Sequence, residues 1–219
     1  MSEYIPVITL DGPAGAGKST LAQALAARLG FAMLASGSIY RLIGLYKLEH
    51  RLSDDDLEQL LAYARTLQHG NWLEDIAVMA DRLTSDDVST AASKIASIPE
   101  LRLALLDLQR SCATTLGHKG LVAEGRDMGT VVFPAAMCKF FITASPQVRA
   151  RRRCLQQGEA ASEYRLAQIA TANAARDSRD AAREVAPLKP APDAVVVDTS
   201  ELGLSATLAR LMGCIERRT

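Results

Sequence analysis

Nine residues near the start of the chain, Gly12-Pro13-Ala14-Gly15-Ala16-Gly17-Lys18-Ser19-Thr20, restrict what it can fold into more than any other stretch. They have the form G-x-x-x-x-G-K-S/T, a loop whose glycines let successive backbone N–H groups curl around a phosphate with no side chain in the way. Such a loop needs a strand before it and a helix after it. Tyr4-Ile5-Pro6-Val7-Ile8-Thr9-Leu10 reads as a short buried strand, and the run from Leu21 to Leu29 reads as a helix. The helix N-terminus adds its positive dipole end to the cradle. Lys18 is then placed to reach the β- and γ-phosphates, and the Ser19 hydroxyl to hold Mg2+. Four fixed positions match by chance in roughly one chain per hundred of ordinary composition. The flanking strand and helix make chance a poor explanation, and the pattern implies a bound nucleoside triphosphate.

The rest of the composition fits one α/β domain. The chain has 219 residues, 48% of them apolar, which is enough for a proper core. No apolar run approaches membrane-spanning length, and no basic segment followed by a long apolar stretch opens the chain, so neither a membrane span nor a secretory leader is expected. Cys112, Cys138, Cys154 and Cys214 lie far apart with no C-x-x-C pair, as expected of reduced thiols in a cytoplasmic protein. Lys and Arg total 25 and so do Asp and Glu, a balance that argues against a general nucleic-acid-binding surface.

Along the chain, Phe31-Ala32-Met33-Leu34 reads as a second strand and Ser38 to His50 as a helix, with Ile39, Leu42, Ile43 and Tyr46 at helical spacing. Ser53 reads as the N-cap of a further helix, with Asp54, Asp55 and Asp56 set against its dipole. From His69 to Ser89 the pattern weakens, and an irregular or short-stranded insertion is expected there. One helix is expected from Thr90 through Thr115. Leu121-Val122-Ala123, Lys139-Phe140-Phe141-Ile142 and Ala194-Val195-Val196-Val197 read as strands, and Ser145-Pro146 as a capped helix start. Strands alternating with helices imply a mostly parallel sheet covered by helices on both faces, with the ligand at the carboxyl ends of the strands.

What is done with the nucleotide must come from elsewhere in the chain. No N-K-x-D guanine-reading motif is present. Asp198, after Val195-Val196-Val197, has the look of a metal-binding strand-end acid but reads better as an ordinary strand terminus. Four other segments say more: Ser36-Gly37-Ser38-Ile39-Tyr40-Arg41; Ala91-Ala92-Ser93 with Pro99 and Arg102; Glu124-Gly125-Arg126-Asp127-Met128-Gly129-Thr130-Val131-Val132-Phe133-Pro134; and Arg176-Asp177-Ser178-Arg179-Asp180-Ala181-Ala182-Arg183. With Asp11-Gly12-Pro13 and Glu184-Val185-Ala186-Pro187-Leu188, they closely resemble the bacterial cytidylate kinase family. The resemblance spans most of the chain in the family's order.

It implies a phosphate-loop NTPase fold with three parts: a core (1–50, 94–149 and 184–219), a monophosphate-binding insertion (51–93), and a lid with its following helix (150–183). It implies transfer of the ATP γ-phosphate to CMP or dCMP with Mg2+ as cofactor, by a monomer with no nucleic-acid or membrane partner. The residue types suit that chemistry. Phosphoryl transfer between two nucleotides crowds negative charge, so fixed cations and exclusion of water are needed. A guanidinium supplies a planar, bidentate, permanently charged grip on phosphate. The resemblance assigns Ser36, Arg102 and Asp127 to the cytosine end, Ser93, Arg176 and Asp180 to the sugar, and Arg41 and Arg126 to the acceptor α-phosphate. Arg183 joins the same closed site with no particular group assigned. Tyr40 either packs beside the acceptor or is a buried helix aromatic. Lys18, Arg126, Arg176 and Arg183 form the catalytic set. Asp180 lies four residues after Arg176, so on a helix the two share a face and can pair. Among Arg149, Arg151, Arg152 and Arg153, one or two are expected on the lid over the ATP phosphates, the others on a solvated helix face.

Three departures from the family pattern stand out. Ala35 occupies a position where an Asp commonly precedes Ser36-Gly37, Glu124 replaces an Asp two residues before Arg126, and the segment between His50 and Ser93 is short. They bear on efficiency and acceptor preference more than on reaction type. Two other readings stay open on sequence alone: a related small kinase acting on UMP or a shikimate-like metabolite, and a paralogue that binds nucleotide without turning it over.

Overall fold

A computed structural model of the chain describes residues 5–116 and 119–218. It divides into two compact units, one formed by the residues before Ala35 and from Ala113 onward, the other by Ala35–Cys112.

The first unit is built on five short strands: β1 (Val7–Asp11), β2 (Ala32–Ala35), β3 (Leu121–Gly125), β4 (Cys138–Thr143) and β5 (Val195–Asp198). They form a parallel sheet in the order β2-β3-β1-β4-β5. The expected strands are all present, with boundaries shifted by one to three residues; Tyr4, included in the first of them, lies outside the described residues. Every residue of β1 and β3 is buried, which explains why central strands of a parallel sheet read as unbroken apolar runs. Alternation survives in the detail. Ile8 and Leu10 point into a core shared with Leu21 and Leu25 of α1 (Lys18–Leu29) and Leu211 and Ile215 of α10 (Leu204–Glu216). Thr9 and Asp11 point the other way. On the edge strand β5, Val197 is buried while Val196 is 52% exposed. The register sets Asp11 opposite Gly125 of β3 and Phe141 of β4, so β1 and β3 finish level with one another while β4 runs two residues further. The phosphate loop leaves from β1, the middle strand.

Helices α8 (Pro146–Gln156) and α9 (Glu163–Ala181) complete this unit. Both begin as capping chemistry requires: Ser145 accepts from the Val148 N–H and Ser162 from the Arg165 N–H, and Pro146 opens α8. They pack on one another through Ala150, Cys154 and Ile169. All four cysteines are free thiols, and burial pushes Cys112 up to about 11. Among the described residues no helix is long and apolar enough to cross a membrane.

The second unit is helical throughout its described length: α2 (Ser36–Glu49), α3 (Leu57–Thr66), α4 (Trp72–Val78), α5 (Ala80–Leu83), α6 (Asp86–Ile95) and the start of α7 (Pro99–Thr115). This corrects three expectations. The region from His69 to Ser89 holds short helices rather than strands or irregular chain: α4 and α5 are each anchored by one buried apolar residue, Trp72 and Leu83, and α6 begins with Val88 buried. Ser53 is not a helix cap. Its N–H and hydroxyl both donate to the Asp56 carboxylate, at 2.7 and 2.8 Å, in a turn that precedes α3. The single helix expected from Thr90 to Thr115 is two, because the residue before Pro99 is disfavoured in helical geometry and the proline restarts the helix.

Candidate active site

The glycines of the phosphate loop are there for geometry. Gly15 (φ 73°) and Gly17 (φ 87°) adopt the left-handed backbone, and Gly12 (φ 147°) is pressed against β4, where a Cβ would stand 2.0 Å from the Ile142 carbonyl oxygen. Ala14 and Ala16 turn inward and are buried, while Ser19 and Thr20 at the start of α1 are exposed. The loop therefore presents its hydroxyl end outward and anchors its small residues in the core.

Lys18 is 5% exposed and donates to the Pro13 carbonyl at 2.8 Å, across its own loop. Burial, with Arg126 and Arg176 near enough to add repulsion, lowers it to about 7. The Ser19 hydroxyl donates to Glu124 Oε1 at 2.9 Å. A hydroxyl beside a carboxylate at the end of β3 is a hard oxygen pair of the kind that suits Mg2+, which takes few protein ligands and completes its shell with phosphate and water. These residues fit the ion that the loop implies.

Asp11, at the end of β1, accepts from the Met128 and Gly129 N–H groups at 2.8 and 2.7 Å. These two amides open a π-helical turn, Met128–Val132, directly after Arg126-Asp127. One strand-end carboxylate thus fixes the backbone that follows the predicted phosphate-binding arginine. Burial raises Asp11 to about 7 against the opposing pull of the two N–H groups.

Arg126 follows β3 directly, and its Nε donates to Asp180 Oδ2 at 3.0 Å. Arg183 donates to the other oxygen of the same carboxylate. Asp180 is 1% exposed. Burial alone would raise its carboxyl, but Arg126, Arg183 and Arg176 together outweigh it and hold the group below its ordinary value. Arg176, expected to pair with Asp180 at i,i+4, acts on it electrostatically, while Arg126, from a different element, supplies a direct bond. Lys18, Arg126, Arg176, Asp180 and Arg183 come together in the first unit, with Asp127 buried beside them in sequence.

The second unit holds the remaining predicted residues. Ser36 opens α2 and is buried; Tyr40 is buried one turn on and Arg41 is half-buried. Gly44 lets α6 approach closely, since a Cβ there would meet the Ala92 N at 3.1 Å, and Ser93 follows on that helix, 2% exposed. Arg102 of α7 is buried, donates to the Ala96 carbonyl at 3.0 Å, and lies 5.8 Å from the centre of the Tyr40 ring, within cation–π range. Tyr40 is therefore a buried helix aromatic that also touches a predicted site residue.

Several residues that matter have roles that the sequence did not assign. Asp11 and Glu124 are strand-end acids, and their positions beside the loop were the available signal. Asp177 accepts from the Ala14 N–H, and Arg149 and Arg152 donate to loop carbonyls. In the basic run nothing but the fold distinguishes these two from the exposed Arg151. Asp198 is exposed and caps its own turn, accepting from the Ser200 N–H at 2.8 Å and hydroxyl at 2.6 Å, as its plain reading required. Among the described residues no cluster of three or more His, Cys, Asp or Glu could hold a metal by itself.

A crystal structure of an uncharacterized protein from Eubacterium ventriosum shares the fold, with a TM-score of 0.54 at 11% identity over 96% of this chain and 98% of that one. A cytidylate kinase of Methylococcus capsulatus is 42% identical over 226 residues, covering 99% of each chain. One from Shewanella piezotolerans is 41% identical over 227 residues, covering 99% of this chain and 97% of that one. The cytidylate kinase family model matches residues 8–217, nearly the whole length, and the chain belongs to the cytidylate kinase family.

Proposed function

We propose that this protein is a cytoplasmic kinase that transfers the γ-phosphoryl group of ATP to CMP or dCMP, giving CDP or dCDP. The observation that carries the reading is the Asp180 cluster, which gathers Arg126, Arg176 and Arg183 within electrostatic reach of one another while Lys18 waits on the phosphate loop. Four cations so concentrated are costly in an empty protein and make sense where phosphates of two substrates meet. Glycine N–H groups and Lys18 take the donor phosphates. Arg126 and Arg41 hold the acceptor α-phosphate, Ser93, Arg176 and Asp180 address the sugar, and Ser36, Arg102 and Asp127 read the cytosine end. An acceptor oxygen then attacks the γ-phosphorus in line, with rate enhancement coming from positioning and charge neutralisation rather than a strong base. Ser19, with Glu124 behind it, would hold Mg2+, which would supply neutralisation of the donor-phosphate charge. Residues 51–93 are read as the monophosphate-binding insertion and 150–183 as the lid and its following helix. Neither alternative is favoured: Lys18 and the full arginine set argue for turnover.

Asp127→Ala tests the acceptor end. Leaving a buried polar partner unmatched costs about 1–3 kcal/mol, so kcat/KM for CMP is expected to fall by about 10- to 100-fold while the Kd for ATP holds. Equal losses on both substrates would make Asp127 a structural residue of the turn it opens.

Lys18 gives a pH prediction. In the free protein burial has lowered it to about 7, so above neutral pH it is largely uncharged. Bound phosphates favour the cation and raise it again. ATP binding is therefore expected to take up protons at pH 8, and Kd for ATP to rise as pH climbs above 7. Calorimetry in two buffers of different ionisation enthalpy measures the uptake; identical heats in both would contradict it.

A further inference from the structure

Helix α8 lies against the outer side of the phosphate loop, and two of its arginines meet loop carbonyls. Arg149 Nη1 donates to Ala14 O at 3.0 Å and also to Asp177 Oδ2. The other oxygen of Asp177 accepts the Ala14 N–H at 3.0 Å. One ion pair, contributed by α8 and α9, thus grips both polar groups of a single loop residue. Three residues on, Arg152 donates to Ala16 O at 3.1 Å and is itself fixed by the hydroxyl and carbonyl of Thr199, both at 2.8 Å. The packing leaves no slack between these points, since a Cβ on Gly15 would stand 2.8 Å from the Arg149 carbonyl oxygen.

The placement is well suited to shaping a loop. Arg149 and Ala14 are both buried, where charge-assisted hydrogen bonds are strong and directional. The glycines that let the loop wrap a phosphate also give it many other conformations, and ordering it at the moment of binding would weaken affinity. Holding the carbonyls of residues 14 and 16 from α8 removes that freedom beforehand and leaves the N–H groups of Gly15, Gly17, Lys18 and Ser19 for the ligand.

We propose that Asp177 and Arg149 are positioning residues of the donor site: their ion pair holds the Ala14 peptide, and through it the phosphate loop, in its nucleotide-binding shape. The same pair ties the loop to α9, the helix that carries Arg176 and Asp180. This rests on the reading of the loop as the ATP site. It also gives the basic run a different use from the one expected, with Arg149 and Arg152 behind the loop rather than over the phosphates.

The test is the Kd of ATP itself, measured by calorimetry without acceptor, together with the KM for CMP at saturating ATP and the melting temperature. Asp177→Ala removes both of the carboxylate's bonds. Asp177→Asn keeps an oxygen for the Ala14 N–H but loses the charge facing Arg149, and it keeps the volume, so it serves if the alanine variant does not fold. Arg149→Met keeps the stem. Each folded variant is expected to raise the ATP Kd, by about tenfold for Asp177→Ala and Arg149→Met and less for Asp177→Asn, as for one lost charge-assisted hydrogen bond. The CMP KM is expected to change by less than about twofold, and the double variant to bind ATP no worse than either single one. An unchanged ATP Kd in folded Asp177→Asn and Arg149→Met would overturn the proposal. So would an equal rise in the CMP KM, or strictly additive losses in the double variant. Wild-type protein that binds ATP but fails to phosphorylate CMP would defeat the acceptor reading and leave this result interpretable.

Discussion

Lys18→Ala is expected to lower kcat by about 10²–10³, the usual effect of removing one preorganised group that stabilises transition-state charge, or roughly 3–4 kcal/mol. The fold should survive. Lys18 donates to the Pro13 carbonyl of its own loop and is buried there at a cost. The sign follows from its depressed pKa. A lysine whose folded-state value lies near 7 instead of 10.5 favours the folded state in its neutral form, so its contribution is present above about pH 10.5 and is lost as pH falls toward 7. At neutral pH the wild-type cation is thus a stability liability kept for function, and Lys18→Ala should melt at the wild-type temperature or above it. Calorimetry and a coupled ADP assay on the same preparation check both halves. A folded variant with near-wild-type turnover would remove Lys18 from the chemistry.

The second large effect concerns stability as well as activity. Asp180 bonds Arg126 and Arg183 from a position 1% exposed, with Arg176 close by. Removing this carboxylate takes away the direct partner of Arg126 and Arg183 in a buried cluster, and breaking a buried pair in this way costs roughly 3–5 kcal/mol. Asp180→Ala is therefore expected to lower the melting temperature markedly, where a solvated i,i+4 pair would have left it unchanged. Because its folded-state pKa is depressed, the stability that Asp180 contributes is present above about pH 3.8 and is lost as pH falls through the lower folded value. The acid limb of the stability profile should shrink in Asp180→Asn. Near-wild-type melting and an unchanged ratio of CMP to dCMP kcat/KM would together return Asp180 to an incidental role. A changed ratio would fit its proposed place at the sugar.

The parts of this molecule that were legible in its sequence are those where one local pattern decides the structure. Strands buried on both faces read as apolar runs, and the loop motif fixed what joins β1 to α1. Ser145-Pro146 capped a helix as expected because a hydroxyl and a proline at that spacing leave few alternatives. The helices from Trp72 to Leu83 were not legible. At seven and four residues they show too few turns for a period to emerge, and each is held by one buried side chain, Trp72 or Leu83, rather than by the continuous stripe that Val88, Ala91, Ala92 and Ile95 form on α6. Ser53 misled because Asp56, three residues on, takes its N–H and hydroxyl and closes a turn instead. The site was legible where a motif carried it and opaque where packing did. Arg149, Arg151, Arg152 and Arg153 differ only by their angle around α8, and only the fold shows which of them face the loop. Asp11 is one strand-end acid among several until Met128 and Gly129 are seen donating to it.

The central claim is that the cation cluster and the phosphate loop serve transfer between ATP and a cytidine monophosphate. Its most direct test is ADP formation by the purified protein with Mg·ATP and, in parallel, CMP, dCMP, UMP or no acceptor. Rapid turnover with CMP or dCMP, much slower turnover with UMP, and little ADP without acceptor is the expected result. Turnover that prefers UMP, or ADP formation indifferent to any of these acceptors, would contradict it.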